Sequence, residues 1–184
     1  MIWRSWRLGF GIGRERRKPA RGRTQSALGS GIAMKPEEPK RVLFLCSGNY
    51  YRSRFAELLF NHLARLEGLA YLADSAGLWP DCQTHNSGSI SPHTLAALAE
   101  RAIPLPSAER APRDVTQADL EESAFVIALK EAEHRPLVLR LFPELLHRVE
   151  FWHVDDVGDA PPSVALPMIE LHVQELVKRL ARAR

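Results

Sequence analysis

A chain of 184 residues with 45% apolar residues is long enough to bury one hydrophobic core, and a single domain is the expected organisation. The net charge of +3 belongs to the N-terminal segment, because residues 1–33 carry eight Lys or Arg against one Glu and residues 34–184 are left at −4. The composition of the body therefore gives no argument for a basic surface that binds nucleic acid.

Residues 1–38 mix Arg, Gly, Ser and Pro without helical or strand periodicity. We predict that they form a basic disordered tail ahead of a domain at residues 39–184. Met34 lies just before the first strong apolar run, which also fits a start-site extension of residues 1–33. A targeting arm or a nucleic-acid-binding tail has the same Arg-rich composition, so nucleic acid is expected as a partner only through the tail.

The compartment is predicted from three features of the composition. The sequence contains no run of about 18 apolar residues, so no membrane-spanning helix and no membrane partner are expected. Arg4 and Arg7 interrupt any secretory apolar segment. Cys46 and Cys82 are too few for a disulfide scaffold. These features favour a cytoplasmic protein.

Short apolar runs alternate with longer helical patterns from residue 41 onward, which is typical of βαβ units around a parallel sheet. The predicted strands are residues 42–46, 70–75, 124–129 and 149–154.

Helices are predicted between these strands from apolar spacing and capping residues. The first helix is expected to begin at Ser53, because apolar residues follow it at helical spacing up to Leu66. Ser91 caps a second helix that has Pro92 in its first turn. Two more are predicted over residues 134–141 and 166–180.

The segment from Cys46 to Ser53 is the main candidate for a functional site. A strand, a turn that contains Gly48 and a helix together direct backbone N–H groups and a helix N-terminus at one spot, which suits a doubly charged oxyanion. The helix dipole and Arg52 favour the thiolate form of Cys46, which is a nucleophile at neutral pH.

The other residues of this loop fit a cradle for a phosphate-like anion. Arg52 can bind two phosphoryl oxygens with its planar fork. Ser53 can donate its hydroxyl proton to the thiolate, and Asn49 tolerates a left-handed backbone while its amide ties the loop together. The alternative is a buried strand-end thiol with Arg52 solvated on a helix. The predicted substrate-binding residues are Ser47, Gly48, Asn49, Tyr50, Tyr51 and Ser53.

Residues 42–49, followed by Arg52-Ser53 and Ala56-Glu57, resemble the low-molecular-weight protein tyrosine phosphatase family, and the resemblance extends over about residues 41–184. It implies a three-layer α/β domain with helices on both faces of a four-stranded parallel sheet in the order 2-1-3-4. It also implies hydrolysis of phosphomonoesters through a cysteinyl-phosphate on Cys46, without a cofactor or metal. The implied partner is a phosphorylated protein, with phosphotyrosine as the main class, or a small aryl phosphate.

The resemblance further implies a general acid directly after the last strand, which protonates the leaving group and then activates water. Asp155, Asp156 and Asp159 are the candidates, and the alignment favours Asp156. This chain has Val157 where the family usually has proline, so the acid loop departs from the family pattern.

Other positions around the loop also depart from the family pattern. Tyr51 stands where relatives often carry a second cysteine that protects the nucleophile as a disulfide, and Arg54 replaces a proline. Tyr50 stands where relatives carry a smaller residue that helps to select the substrate. Both tyrosines are expected at the mouth of the site, where they either stack on an aryl phosphate or narrow the pocket. Trp79 is a candidate wall of the pocket or a cover of apolar surface.

Three alternatives use the same loop. A noncatalytic oxyanion-binding module keeps the cradle without turnover. A phosphoarginine phosphatase shares the chemistry, but that activity is associated with a small hydroxylated residue at the position of Tyr50. An arsenate reductase needs further cysteines for a disulfide relay, and only Cys82 remains for that role. Metal catalysis is not expected, because seven scattered histidines and two cysteines show no ligand spacing.

Overall fold

The apolar run that follows Lys40 forms the central strand of the fold. The structure is a computed structural model, and it describes residues 38–79, 88–107 and 110–183. Within these ranges the elements are, in chain order, β1 (Lys40–Cys46), α1 (Arg52–Leu66), β2 (Tyr71–Gly77), α2 (Pro92–Glu100), α3 (Gln117–Glu122), β3 (Phe125–Ala128), α4 (Glu131–Leu141), β4 (Val149–Phe151) and α5 (Pro162–Arg182). A 3-10 helix, Pro143–Arg148, precedes β4.

The four strands form one parallel sheet in the order β2-β1-β3-β4. This confirms the predicted sheet and its order, and the strand bounds differ from the predicted ones by at most three residues. β1 pairs with strands on both of its edges, so its backbone groups bond within the sheet and its apolar side chains are covered on both faces.

Side chains of β1 alternate between two separate cores, one on each face of the sheet. Val42 and Phe44 pack with the core that α1, α2 and α5 cover, whereas Leu43 and Leu45 pack with the core on the side of α3 and α4. All four are fully buried. The period of two that a strand imposes thus produces the predicted three layers.

The predicted helices are all present, with shifted starts. α1 begins at Arg52, one residue before the predicted Ser53, and α4 begins at Glu131 rather than at residue 134. The predicted cap of α2 is confirmed, because Ser91 Oγ accepts a hydrogen bond from His93 N at 3.3 Å and Pro92 occupies the first turn.

One short helix was missed in the sequence. α3 has a capping box, in which Thr116 Oγ1 accepts from Asp119 N at 3.2 Å and the Asp119 carboxylate accepts from Thr116 N at 2.9 Å. The signature of a hydroxyl residue followed three positions later by an acid was visible in the sequence and predicts such a start.

Parallel pairing brings the ends of the strands to one edge of the sheet. Cys46 at the end of β1 lies opposite Gly77 at the end of β2. Backbone pairing continues beyond the other two strands, since Trp152 N donates to Ala128 O and Val154 N donates to Leu129 O, each at 2.8 Å. The segments after β1, β3 and β4 therefore meet at the carboxyl edge, where ligands bind in open α/β sheets.

Two predictions fall on parts of the chain that the structure does not describe. Residues 1–37 and Cys82 lie outside the described residues. The basic tail, the domain boundary after residue 38 and the position of the second thiol therefore stay predictions. In the described part of the chain, no helix combines the length and the apolar character that crossing a membrane requires.

A buried histidine closes the turn between β3 and α4. His134 lies on α4 and is fully buried. Its Nδ1 accepts a hydrogen bond from Lys130 N at 3.0 Å, so the ring proton of the neutral form lies on Nε2. Burial, with the nearby positive charges of Arg52 and Lys130, lowers the pKa of His134 to about 3.

We expect this histidine to make the fold sensitive to mild acid. Unfolded chains protonate His below about pH 6.5, whereas folded His134 stays neutral down to a pKa of about 3, so the unfolded state binds the extra proton in this window. The free energy of unfolding is therefore at its full value above pH 6.5. It decreases as the pH drops, by up to about 2 kcal/mol at pH 5. Urea unfolding at pH 7 and pH 5 measures this difference.

The variant His134→Asn keeps an acceptor for Lys130 N and should lose much of the pH dependence. His153→Asn is the matched control, because the side chain of His153 is 74% exposed. An unchanged pH dependence in His134→Asn would contradict the prediction.

Candidate active site

The loop between β1 and α1 holds the predicted nucleophile at one end and the predicted clamp at the other. Cys46 is the last residue of β1 and Arg52 is the first residue of α1. The Cys46 side chain is buried, and its sulfur lies 3.0 Å from Ser53 Oγ. The pairing of Ser53 with the thiol that the sequence predicted is therefore present.

The carbonyl groups of this loop are held by neighbouring segments. The two residues after β2 donate their N–H groups to Cys46 O and Ser47 O at 2.9 and 3.0 Å, and Ser91 N donates to Tyr50 O at 3.0 Å. α1 begins without a side-chain cap, in contrast to α2. Neighbouring segments bond the carbonyl groups of this turn, and no side chain caps α1. The N–H groups of the turn and of the helix N-terminus are therefore arranged to bind an anion.

A glycine at the end of β2 allows the loop to pack closely against the sheet. A Cβ atom on Gly77 would lie 2.9 Å from Ser47 O and 3.3 Å from the carbonyl carbon of Gly48, so any side chain there would displace the loop backbone. Gly77 is a residue of the site that the loop motif does not contain. Its requirement follows from the parallel register, which places it opposite Cys46.

Asn49 organises the loop from behind. It has a left-handed backbone, with φ of 51°, which asparagine tolerates better than most residues. Its Nδ2 donates to Ser53 Oγ at 3.1 Å and to Ser75 Oγ at 2.7 Å. Its Oδ1 accepts from Arg110 Nη1 at 3.0 Å and from Arg113 N at 3.1 Å. The amide thus joins the loop to β2 and to the segment before α3.

Arg52 is the most deeply buried charge of the site, with 1% of its side chain exposed. The alternative of a solvated arginine is therefore wrong. Its Nη1 donates to Val154 O at 3.2 Å, and its Nη2 donates to Asp156 Oδ2 at 2.9 Å and to Glu133 Oε2 at 2.8 Å. Although burial alone would lower it, the Cys46 sulfur and the two carboxylates raise the pKa of Arg52 above its ordinary value.

Glu133 is a site residue that sequence reasoning missed. It lies in the first turn of α4, and both of its carboxylate oxygens face the Arg52 guanidinium, at 2.8 and 3.4 Å. Ser47 Oγ also donates to Glu133, at 3.3 Å. Glu133 therefore connects the clamp to the start of the loop. The available signal was its position just after β3, because the carboxyl ends of parallel strands share one edge.

The three candidate acids occupy different environments. Asp156 contacts the Arg52 guanidinium, and its other carboxylate oxygen accepts from Val157 N at 2.8 Å. Asp155 forms an ion pair with Lys130. The Asp159 side chain is exposed to solvent. The structure thus brings Asp156, and neither of the other two, against the clamp.

The two tyrosines of the loop differ in position. Tyr51 is 7% exposed and packs in the hydrophobic core, with its ring 6.2 Å from that of His93 on α2. The expectation that both tyrosines crowd the mouth is therefore wrong for Tyr51, and only Tyr50 is partly exposed. Burial, with the negative charge of Asp156, raises the pKa of Tyr51 to about 12. Trp79 is half-exposed, and its part in the pocket stays a prediction.

Among the residues that the structure describes, no group of three or more His, Cys, Asp or Glu side chains is arranged to hold a metal ion.

Comparisons with known proteins agree with this geometry. The family model for "Low molecular weight phosphotyrosine protein phosphatase" matches residues 41–156. A protein-arginine-phosphatase of Bacillus subtilis is 31% identical over 101 residues, which cover 55% of this chain and 62% of the relative. A low molecular weight protein-tyrosine-phosphatase of Streptomyces coelicolor is 36% identical over 107 residues, which cover 56% and 60%. The chain thus spans about three-fifths of the length of these curated relatives.

Solved structures share the fold over nearly their whole length. YfkJ from Bacillus subtilis superposes with a TM-score of 0.70 at 22% identity, covering 82% of this chain and 99% of that structure. A low molecular weight protein tyrosine phosphatase from the same organism, solved in solution, gives a TM-score of 0.63 at 25% identity and covers 77% and 97%. With the family model matching well over half of the sequence, the chain belongs to the low molecular weight phosphotyrosine protein phosphatase family.

Proposed function

We propose that this protein hydrolyses phosphomonoesters through a cysteinyl-phosphate intermediate, with phosphotyrosine in proteins as its main substrate class. The observation that carries the proposal is the loop in which Cys46 and Arg52 face the same turn, with Ser53 Oγ 3.0 Å from the sulfur. Membership of the family supports the same chemistry. A catalytic thiol is suited to a reducing compartment, so we propose the cytoplasm as its location.

The first step transfers the phosphoryl group to Cys46. The sulfur attacks phosphorus, the bond from phosphorus to the leaving oxygen breaks, and a proton from an acid converts that oxygen to a phenol or alcohol. Ser53 donates its hydroxyl proton to the thiolate, and the N–H groups of the loop hold the phosphoryl oxygens. In the second step water attacks phosphorus, and the carboxylate left by the acid takes the proton of that water. The bond from phosphorus to sulfur breaks, which releases phosphate and restores the thiolate.

Arg52 and Asp156 have complementary roles in these steps. The guanidinium of Arg52 stabilises the negative charge that spreads over the phosphoryl oxygens in the transition state. Asp156 acts as the acid and then as the base, because its carboxylate lies 2.9 Å from Arg52 Nη2 at the edge of the cradle and about 40% of its side chain is exposed. Partial exposure leaves it accessible to a substrate oxygen and to water.

A phosphoarginine phosphatase is the second candidate function. Glu133 and Asp156 place two carboxylates beside Arg52. Their negative charges would attract a leaving group that carries the positive charge of a guanidinium. The relative from Bacillus subtilis that is named for this activity supports the same reading. The partly exposed Tyr50 stands against it, because a large ring leaves less room beside the loop.

The proposal is tested by hydrolysis of p-nitrophenyl phosphate by the full chain under reducing conditions. We expect a burst of p-nitrophenol followed by steady turnover, because the intermediate forms before it is hydrolysed. Cys46→Ser should lose turnover by about a thousandfold or more, since the nucleophile is removed. If the folded wild type binds vanadate but hydrolyses the substrate no faster than Cys46→Ser, the phosphatase proposal is rejected and the noncatalytic oxyanion-binding module is retained. Matched phosphotyrosine and phosphoarginine peptides separate the two substrate classes.

We expect Asp156→Asn to lower the rate of the first step, measured as phenol release in a single turnover, about a hundredfold on phenyl phosphate and far less on p-nitrophenyl phosphate. A general acid contributes most when the leaving group is a poor one, and p-nitrophenolate departs readily without a proton. Asp159→Asn is the matched control, because Asp159 is exposed in the same loop. An equal loss on both substrates, or a larger loss in Asp159→Asn, would rule out the role given to Asp156.

We expect Glu133→Gln to bind inorganic phosphate up to about tenfold more tightly than the wild type. The Glu133 carboxylate occupies two N–H groups of Arg52 and repels a bound dianion by about 1 kcal/mol, whereas Gln keeps one acceptor without the charge. Competitive inhibition by phosphate measures the change. Glu131→Gln is the control, since Glu131 pairs with Arg135 on the same helix. Weaker phosphate binding in Glu133→Gln would show that its charge supports the clamp instead.

A further inference from the structure

The orientation of the Asn49 amide is determined by the groups around it. Its oxygen faces Arg110 Nη1 at 3.0 Å and Arg113 N at 3.1 Å, and both groups can only donate. A flipped amide would bring its NH₂ group against two other donors inside a buried site, since Asn49 is fully buried. The amide nitrogen must therefore point the other way, towards Ser53 and Ser75.

This orientation determines the direction of the hydrogen bonds that reach the nucleophile. Asn49 Nδ2 donates to Ser53 Oγ at 3.1 Å, which uses an acceptor position of that hydroxyl. The single Ser53 proton can then be donated to the Cys46 sulfur, 3.0 Å away. The chain of donors runs from the Arg110 guanidinium through Asn49 and Ser53 to the sulfur, and a thiolate is the acceptor that completes it.

Arg110 is itself held in place by the end of α1 that faces the loop and by β2. Its Nη2 lies 2.8 Å from Glu57 Oε2, 2.9 Å from Asp74 Oδ1 and 2.9 Å from Ser75 O. Glu57 is 8% exposed and also accepts from Arg54 Nη1 at 2.9 Å. The guanidinium is thus anchored on a buried carboxylate on one side and presents Nη1 to Asn49 on the other.

The charges around this anchor balance, which indicates how Arg110 acts. The cluster contains four arginines and four carboxylates, namely Arg41, Arg54, Arg110, Arg113, Glu57, Asp74, Asp119 and Glu122. A balanced cluster exerts little net field on the sulfur at a distance. The effect of Arg110 is therefore expected through the geometry of its hydrogen bonds.

We infer that Arg110 is a positioning residue that orients Asn49 and, through Ser53, stabilises the reactive form of Cys46. The inference rests on the proposed role of Cys46 as a nucleophile. Arg110 belongs neither to the loop at residues 46–53 nor to the acid loop after β4. The segment 110–113 lies more than fifty residues beyond the first of these loops, so no local sequence pattern indicates this role.

The test is the rate at which iodoacetamide alkylates Cys46 in the full chain at pH 7, followed by mass spectrometry of the Cys46 peptide. Arg110→Met should slow alkylation about tenfold, because the charged donor that orients Asn49 is lost. Arg110→Lys should also be slow, since a lysine ammonium cannot fork between Asn49 and Glu57. Full recovery of the wild-type rate in Arg110→Lys would overturn an orienting role.

Arg101→Met is the matched control, because Arg101 is also part-buried and pairs with Glu170 at 2.8 Å, on the α2 and α5 side of the fold. Circular dichroism and urea unfolding establish that each variant is folded. If Arg110→Met does not fold, Arg110→Lys alone decides. Alkylation rates in both Arg110 variants equal to that of Arg101→Met would overturn the inference.

A double-variant cycle with Asn49→Ala tests whether the effect passes through Asn49. With the amide removed, adding Arg110→Met should slow alkylation by less than about twofold, because the two changes break the same chain of bonds. Independent effects that multiply would overturn this route. Alkylation requires no turnover, so an inactive wild type with the expected alkylation pattern would overturn the proposed function and leave the role of Arg110 intact.

Discussion

A guanidinium with 1% of its surface exposed must find acceptors inside the protein, and Arg52 finds them on two segments that are distant in sequence. Val154 and Asp156 follow β4, and Glu133 lies in the first turn of α4, so Arg52 ties the loop after β1 to both segments. A buried charge without such partners would cost several kcal/mol. The carboxyl edge of the sheet therefore assembles around Arg52, and the same contacts hold its fork at the phosphate site proposed above.

The other side of the loop depends on a second polar cluster. Asn49 Nδ2 donates to the hydroxyl groups of Ser53 and Ser75, all three side chains are buried, and Arg110 closes the cluster against Glu57. Buried polar groups of this kind are strong only when all are satisfied. A satisfied cluster resists rearrangement, so the loop is organised before any anion binds. Such preorganisation is the main source of electrostatic catalysis, because no donor has to reorient during the reaction.

Two departures from the family pattern pack against local neighbours, although Tyr51 Oη and Arg54 Nε find no hydrogen-bond partner among the described residues. Arg54 stands where the family has a proline, and its charge is buried against Glu57 at 2.9 Å. Tyr51 stands where relatives often have a second cysteine, and its ring fills the core beside α2. Neither residue removes a group that holds the loop, since Asn49 and Arg52 keep their hydrogen bonds.

The sequence by itself determined the sheet, the order of the layers and the loop with its thiol and arginine. These features depend on local signals, namely the period of two in β1, the helical spacing after Ser53 and the Pro92 start, and the resemblance to a family supplied the strand order. Only the tertiary structure decided which side chains from distant segments reach the loop. Glu133 and Arg110 carry no local motif, because their contacts follow from the parallel sheet and from the need of buried charges for partners. The burial of Tyr51 was decided in the same way, since the direction of a side chain in a turn is set by the core against which it packs.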